Sequence, residues 1–203
     1  MAPFIRPDMQ PGDVTSVLAI SWGKGDPHKD AITIVYVDEA GRLREHTKLD
    51  NLYDPELRDE FIDLLKRRRP DVIVIGGFSM ATTKLVQNVK RLVRGDQLEG
   101  VNGGWGGENT TTSNEQAFDI PIIYVFDEVA RIYQHSKRAA DEYSALSPTA
   151  KYCVGLARYT QSPLIEYAAL GSDITAISFE EDDQQLVSKL RSRRCLHFTD
   201  MPA

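Results

Sequence analysis

The sequence predicts a mixed α/β domain, with a five-stranded sheet flanked by helices and a Gly-rich insertion in the second half of the chain. Three observations predict it. Short apolar runs rich in β-branched residues recur at residues 17–20, 31–37, 71–75 and 121–126. Stretches with apolar residues at helical spacing lie between and after the later runs. Periodicity then disappears over about 95–119, where Gly103, Gly104, Gly106 and Gly107 surround Trp105 and precede a Thr/Ser tract. With 203 residues the chain suffices for one domain with an ample core, expected over 15–180 after an irregular lead at 1–14 and before an extension at 181–203.

Each element has a local cause. Val17 to Ile20 reads as a short buried strand and 31–37 as a second. The Asp38-Glu39-Ala40-Gly41 segment supplies turn chemistry that reverses the chain into a third strand over 42–48, so three antiparallel strands open the domain. Asp54 is placed to cap a helix that has Pro55 at its first position and Leu57, Phe61, Leu64 and Leu65 on one face. Cations at 66–69 suit the end of that helix, and Pro70 stops it. The continuous run 71–75, bounded by Gly76 and Gly77, fits a strand covered on both faces. Leu85, Val89, Leu92 and Val93 give the next helix its buried face, and Gly95 its end. After the strand at 121–126, Asp127 opens a helix with Val129, Ile132 and Tyr133 inward, and Ser136 caps a further turn. Ser147-Pro148 and Ser162-Pro163 each set a capping hydroxyl before a proline, so two more helices start there, the second ending at Gly171. An apolar stretch at 174–179 precedes an acidic cluster and a basic run at 189–194.

Composition narrows the function classes. The apolar fraction of 41% and charged fraction of 27% are ordinary for a globular protein. A net charge of −6 disfavours a chain-wide nucleic-acid footprint, because neutralising phosphates takes clustered cations. Local patches remain: Lys24, Arg67, Arg68, Arg69, Lys90, Arg91 and Arg94 are candidate contacts to nucleic acid or an acidic partner, against the plainer reading of solvated helix ends. Cys153 and Cys195 match no zinc spacing and are expected to be reduced thiols. No two histidines stand four apart, and neither a metal site nor a cofactor is expected. Gly23-Lys24-Gly25 follows a strand but lacks the spacing and the closing Lys-Ser/Thr of a phosphate loop. No run approaches membrane-spanning length and the first twelve residues lack a signal-type apolar core, so a soluble intracellular domain with no membrane partner is expected.

The order of three strands, helix, strand, helix, strand and helices resembles the ribonuclease-H-like superfamily. More narrowly, the chain resembles the YqgF domain, which is related to the RuvC resolvase. The residues that carry the resemblance are 17–25, 71–77, Asp127-Glu128 through Tyr133, 139–143 and 157–167. Within the last, Gln161-Ser162-Pro163-Leu164 is similar to the Gln-Asp-Pro-Leu segment of the bacterial Tex family. Similarity is greatest to the eukaryotic branch of that family, nuclear transcription elongation factors and histone chaperones. The resemblance implies an RNA polymerase II elongation complex, histones and elongation proteins as partners, with neighbouring domains of the same protein packed against this one.

The resemblance also locates a degenerate site. In RuvC-like nucleases the end of the first strand, the end of the fourth and the last helices contribute carboxylates; here those places hold Ser21, Gly76-Gly77 and Tyr152-Cys153-Val154. Only Asp127 and Glu128 keep acids at a matching position, and Asp127 reads also as a simple helix N-cap. Two-metal cleavage needs converging carboxylates, so no catalytic residue and no metal ligand is expected. A divalent-metal nuclease and a nucleic-acid-binding module without cleavage are the alternatives. Tyr152 and Tyr159, on one face of a helix, read as core aromatics or a contact stripe.

Overall fold

A computed structural model describes residues 2–10, 12–23, 25–26, 30–77, 80–95 and 118–171. Lys24, nearly all of the Gly-rich insertion, the 174–179 stretch and the C-terminal extension lie outside the described residues. Five strands form one sheet: β1 (Val17–Ser21), β2 (Ile32–Val37), β3 (Leu43–Leu49), β4 (Val72–Gly76) and β5 (Ile122–Val125). Their spatial order is β3-β2-β1-β4-β5. The first three pair antiparallel as a meander, and β1-β4 and β4-β5 pair parallel. The six helices among the described residues are α1 (Pro55–Arg68), α2 (Met80–Arg94), α3 (Glu128–Tyr133), α4 (Lys137–Glu142), α5 (Pro148–Gln161) and α6 (Pro163–Ala169). This is the ribonuclease-H-like arrangement.

Strand alternation sorts the two faces by side-chain size. Leu18, Ile20, Ile34, Ile73 and Ile75 point to one side, where Phe61, Leu64 and Leu65 of α1 and Leu85, Val89 and Leu92 of α2 cover them. Val17, Ala19, Val35, Val72 and Val74 point to the other, where Cys153, Leu156 and Ala157 of α5 and Val129 and Tyr133 of α3 complete the core. The smaller strand residues belong to the face that α5 crosses. Close approach continues between α5 and α3, where a Cβ on Gly155 would stand 2.8 Å from the Tyr133 ring.

Most local expectations are met. Asp54 accepts from the Glu56 amide at 3.0 Å and Pro55 opens α1, while Arg69 ends it in the left-handed region at φ 45°. Ser136 caps α4 and Ser147 caps α5 through the amides of Ala139 and Ala150. Two cap readings are corrected. Ser162 sits at the N-cap position of α6, but its hydroxyl makes no bond to the helix amides, and φ −146°, ψ 74° is not the extended geometry in which Ser147 caps. Asp127 occupies the N-cap position of α3 without capping it, because its carboxylate is turned to other partners. The strand expected over 121–126 is shorter, and Phe126 is 63% exposed beyond its end.

Candidate functional site

A cleft of about 940 Å³ opens at the C-terminal ends of β1 and β4, the place where open α/β sheets gather ligands. Register explains what it collects. Ile20 pairs with Ile75, so Ser21 and Gly76 end adjacent parallel strands; Gly76 pairs with Val125, which puts Asp127 two residues past the neighbouring strand. Ser21, Gly76, Gly77, Asp127 and Glu128, the five positions singled out from sequence, therefore line one wall system.

The side chains of Ser21 and Asp127 are already engaged within the protein. The Ser21 hydroxyl accepts from the Gly23 amide at 3.3 Å. Tyr152 of α5 donates its hydroxyl to Asp127 Oδ2 at 3.0 Å, and Arg131, one turn along α3, lies 3.5 Å from Asp127 Oδ1. A Cβ built on Gly76 would fall 2.1 Å from the Tyr152 hydroxyl, 3.0 Å from its ring and 3.1 Å from Leu156. The Tyr152 phenol thus fills the space that a side chain at the end of β4 would need. Gly77 has φ 79°, and its Cβ would meet Asp127 Oδ2 at 3.2 Å. Burial, then the Asp127 charge and hydrogen bond, push the Tyr152 hydroxyl well above the usual tyrosine range, so it stays a donor at neutral pH.

One residue of the cleft, Asp30, is not legible as such, and the part played by Tyr152 is legible only by its position. Asp30, just before β2, reaches the cleft, with its Oδ2 accepting from the Asp26 amide at 3.1 Å and its carbonyl accepting from the Trp22 indole at 3.1 Å. The available signal is its place two residues before β2, whose Thr33 pairs with Ser21. The resemblance puts Tyr152 where the last helices of nucleases contribute a carboxylate, but its role depends on a contact with Gly76 that no local pattern encodes.

A divalent-metal pair does not fit these residues. Among the described residues no group of three His, Cys, Asp or Glu side chains is arranged to hold a metal ion. Asp30, Asp127 and Glu128 line the cleft without converging, and the steric block at Gly76 removes the place for another ligand.

The basic candidates on α1 and α2 do not line the cleft. Arg67 and Arg68 at the end of α1 both bond the Glu45 carboxylate of β3, Arg68 at 2.6 Å. Both guanidinium groups thus have a carboxylate partner within the fold. Burial alone would raise the Glu45 carboxyl, but these hydrogen bonds and charges bring it below its ordinary value. Arg69 is exposed at the helix end, and Lys90, Arg91 and Arg94 are exposed on α2.

The segments at 139–143 and 157–167 build a charged layer instead. Arg138 forks onto Glu166 at 2.9 and 3.1 Å and reaches Glu142 at 3.0 Å. Arg158 meets Glu142 at 2.5 Å, the Gly41 carbonyl at 3.0 Å and the Tyr143 hydroxyl at 3.1 Å. The Gln161 amide donates to the carbonyls of Thr15 and Asp38 at 2.7 and 2.8 Å, tying the end of α5 to the start of β1 and the turn after β2.

A ribonuclease-H-like sheet whose nuclease-type cleft is lined by Ser21, Gly76 and Asp127 defines a resolvase-like domain class. Within it, residues 11–104 and 107–171 match the family described as YqgF, Holliday-junction resolvase-like of SPT6, and the chain belongs to that family. Among curated proteins it is 43% identical over 179 residues to transcription elongation factor SPT6 of Gibberella zeae, covering 88% of this chain and 12% of the relative. It is 40% identical over 207 residues to SPT6 of Mycosarcoma maydis, covering 91% and 12%. It is 36% identical over 177 residues to SPT6 of Saccharomyces cerevisiae, covering 85% and 11%. The chain spans about one eighth of the length of the relatives it matches.

Proposed function

We propose that this chain is a non-catalytic YqgF-like structural and interaction module of a nuclear transcription elongation factor and histone chaperone that acts with RNA polymerase II. One observation carries the non-catalytic part: the Tyr152 phenol occupies the space at the end of β4 and holds Asp127 by a hydrogen bond. Ser21, Gly76, Gly77, Asp127 and Glu128 are then remnants of a nuclease site. Ser21 has no base at hydrogen-bond distance among the described residues, so an activated nucleophile is not supported either. The similarity to elongation factors supports the rest of the reading. The module would extend over about 15–180 with its insertion at 95–119, and neighbouring domains, histones and the elongation complex would be its partners.

Labelled duplex, branched and single-stranded nucleic acids, incubated with the chain and Mg²⁺ or Mn²⁺, test the reading. No cleavage is expected, and none in Asp127→Ala. Metal-dependent cleavage lost in that variant would make Asp127 a ligand and restore the nuclease alternative. Salt-sensitive binding without cleavage would shift the role to nucleic-acid docking.

A further inference from the structure

We propose that the groove between the N-terminal segment and α2 docks a short acidic peptide with one bulky apolar anchor. The groove holds about 650 Å³ and lies at the N-terminal end of β5, whereas Asp127 follows the other end of that strand. It is a separate site from the cleft. One wall is the chain around Phe4 and Ile5, which is fixed in place: the Phe4 amide donates to the Thr160 carbonyl at 3.0 Å, and Thr15 donates its hydroxyl to the Phe4 carbonyl at 3.3 Å. The opposite wall is α2, and Phe118, whose amide donates to the Val93 carbonyl at 2.8 Å, lies with Ile120 and Ile122 along the floor. Ile5 is 44% exposed, so an apolar surface is open to an incoming side chain.

Charge selects the occupant. Lys90 and Arg94 stand on one face of α2 at i and i+4, both exposed and lining the groove, and neither side chain has an ion pair or hydrogen bond among the described residues. Arg6 is held by Asp8 at 3.0 Å and stands 4.0 Å from Asp119. In a chain of net charge −6 this rim carries two uncompensated cations. Carboxylates flanking an aromatic or aliphatic anchor match a cationic rim over an apolar floor. A nucleic acid matches less well, because a polyanion needs a longer track of cations than two.

Fluorescence anisotropy with the chain and a labelled peptide carrying Asp and Glu on both sides of a Leu-Phe pair tests the proposal. Saturable binding is expected, weakened about tenfold or more by Lys90→Glu with Arg94→Glu and weakened by added salt. Replacing the Leu-Phe pair by Ser-Ser is expected to abolish binding, and Ile5→Asp to weaken it. Both charge positions are exposed, and a melting temperature close to that of the parent checks the fold; Lys90→Gln with Arg94→Gln serves if reversal disturbs it and should give an intermediate loss. Absence of saturation, equal binding of the Ser-Ser probe, or indifference to both charge variants would overturn the proposal. So would a labelled single-stranded oligonucleotide that binds more tightly than the peptide and loses affinity in the same variants.

Discussion

The cleft at the strand ends and the charged layer joining α3, α4, α5 and α6 contain the same residue types in opposite arrangements. In the layer, Arg138 and Arg158 lie against Glu142 and Glu166, with Tyr133 and Tyr143 stacked beneath the guanidinium groups at 5.4 and 5.6 Å. In the cleft, the acids line a mouth without converging, and Asp127 is held by a tyrosine and an arginine. The segments that carry the family resemblance divide between the two regions, with 17–25, 71–77 and Asp127-Glu128 reaching the cleft and 139–143 and 157–167 building the layer. Fold kinship by itself says little about chemistry at the cleft.

The sharpest way to break the layer is Gln161→Leu. It leaves the Thr15 carbonyl without its buried side-chain donor and the Asp38 carbonyl with the Gly41 amide alone, and a loss of about 3 kcal/mol, or roughly 6–12 °C in melting temperature, is expected. Unchanged melting would remove Gln161 from the account.

In the cleft, Gly76→Ala should cost roughly 1–3 kcal/mol by driving a methyl into the Tyr152 hydroxyl. Combined with Tyr152→Phe, denaturant unfolding should show a coupling of about 1 kcal/mol, because the clash is relieved. Strict additivity would mean that the two residues do not compete for the same space.

Both regions contain a tyrosine raised by burial: Tyr152 in the cleft and Tyr133, which donates to Glu142 at 3.1 Å, in the layer. Their folded-state values lie above the ordinary value of about 10, so their contribution is complete below that pH and is lost as pH rises beyond it. Spectrophotometric titration of the eight tyrosines should show a fraction that ionises only as the fold is lost. Free titration of all of them before unfolding would contradict the burial of both hydroxyls.

The two Ser-Pro starts give the smallest contrast. Ser147→Ala is expected to cost about 1 kcal/mol, since it removes the bond to the Ala150 amide, and Ser162→Ala less than about 0.5 kcal/mol, as no such bond exists. Chemical denaturation of the two variants compares them directly, and equal costs would show that Ser162 caps after all.

The fold was largely legible, because apolar runs, period-two alternation and prolines at helix starts act locally. That Ser21, Gly76 and Asp127 belong to one site is what the family resemblance implies, and the strand order brings them into one cleft. What escaped depends on pairs distant in sequence. Asp127 looks like a cap until Tyr152 is brought over from α5, and Arg67 and Arg68 look like a free basic run until Glu45 of β3 lies beside them. Gly76 reads as the boundary of a strand and as a place lacking a carboxylate, although its missing side chain makes room for a phenol.

Calorimetric titration of the chain with Mn²⁺, alongside Asp127→Ala, tests most directly the claim that the cleft has exchanged metal-binding capacity for packing. The account predicts no saturable binding at the cleft and identical weak heats for the two proteins. Saturable Mn²⁺ binding that disappears in Asp127→Ala would contradict it.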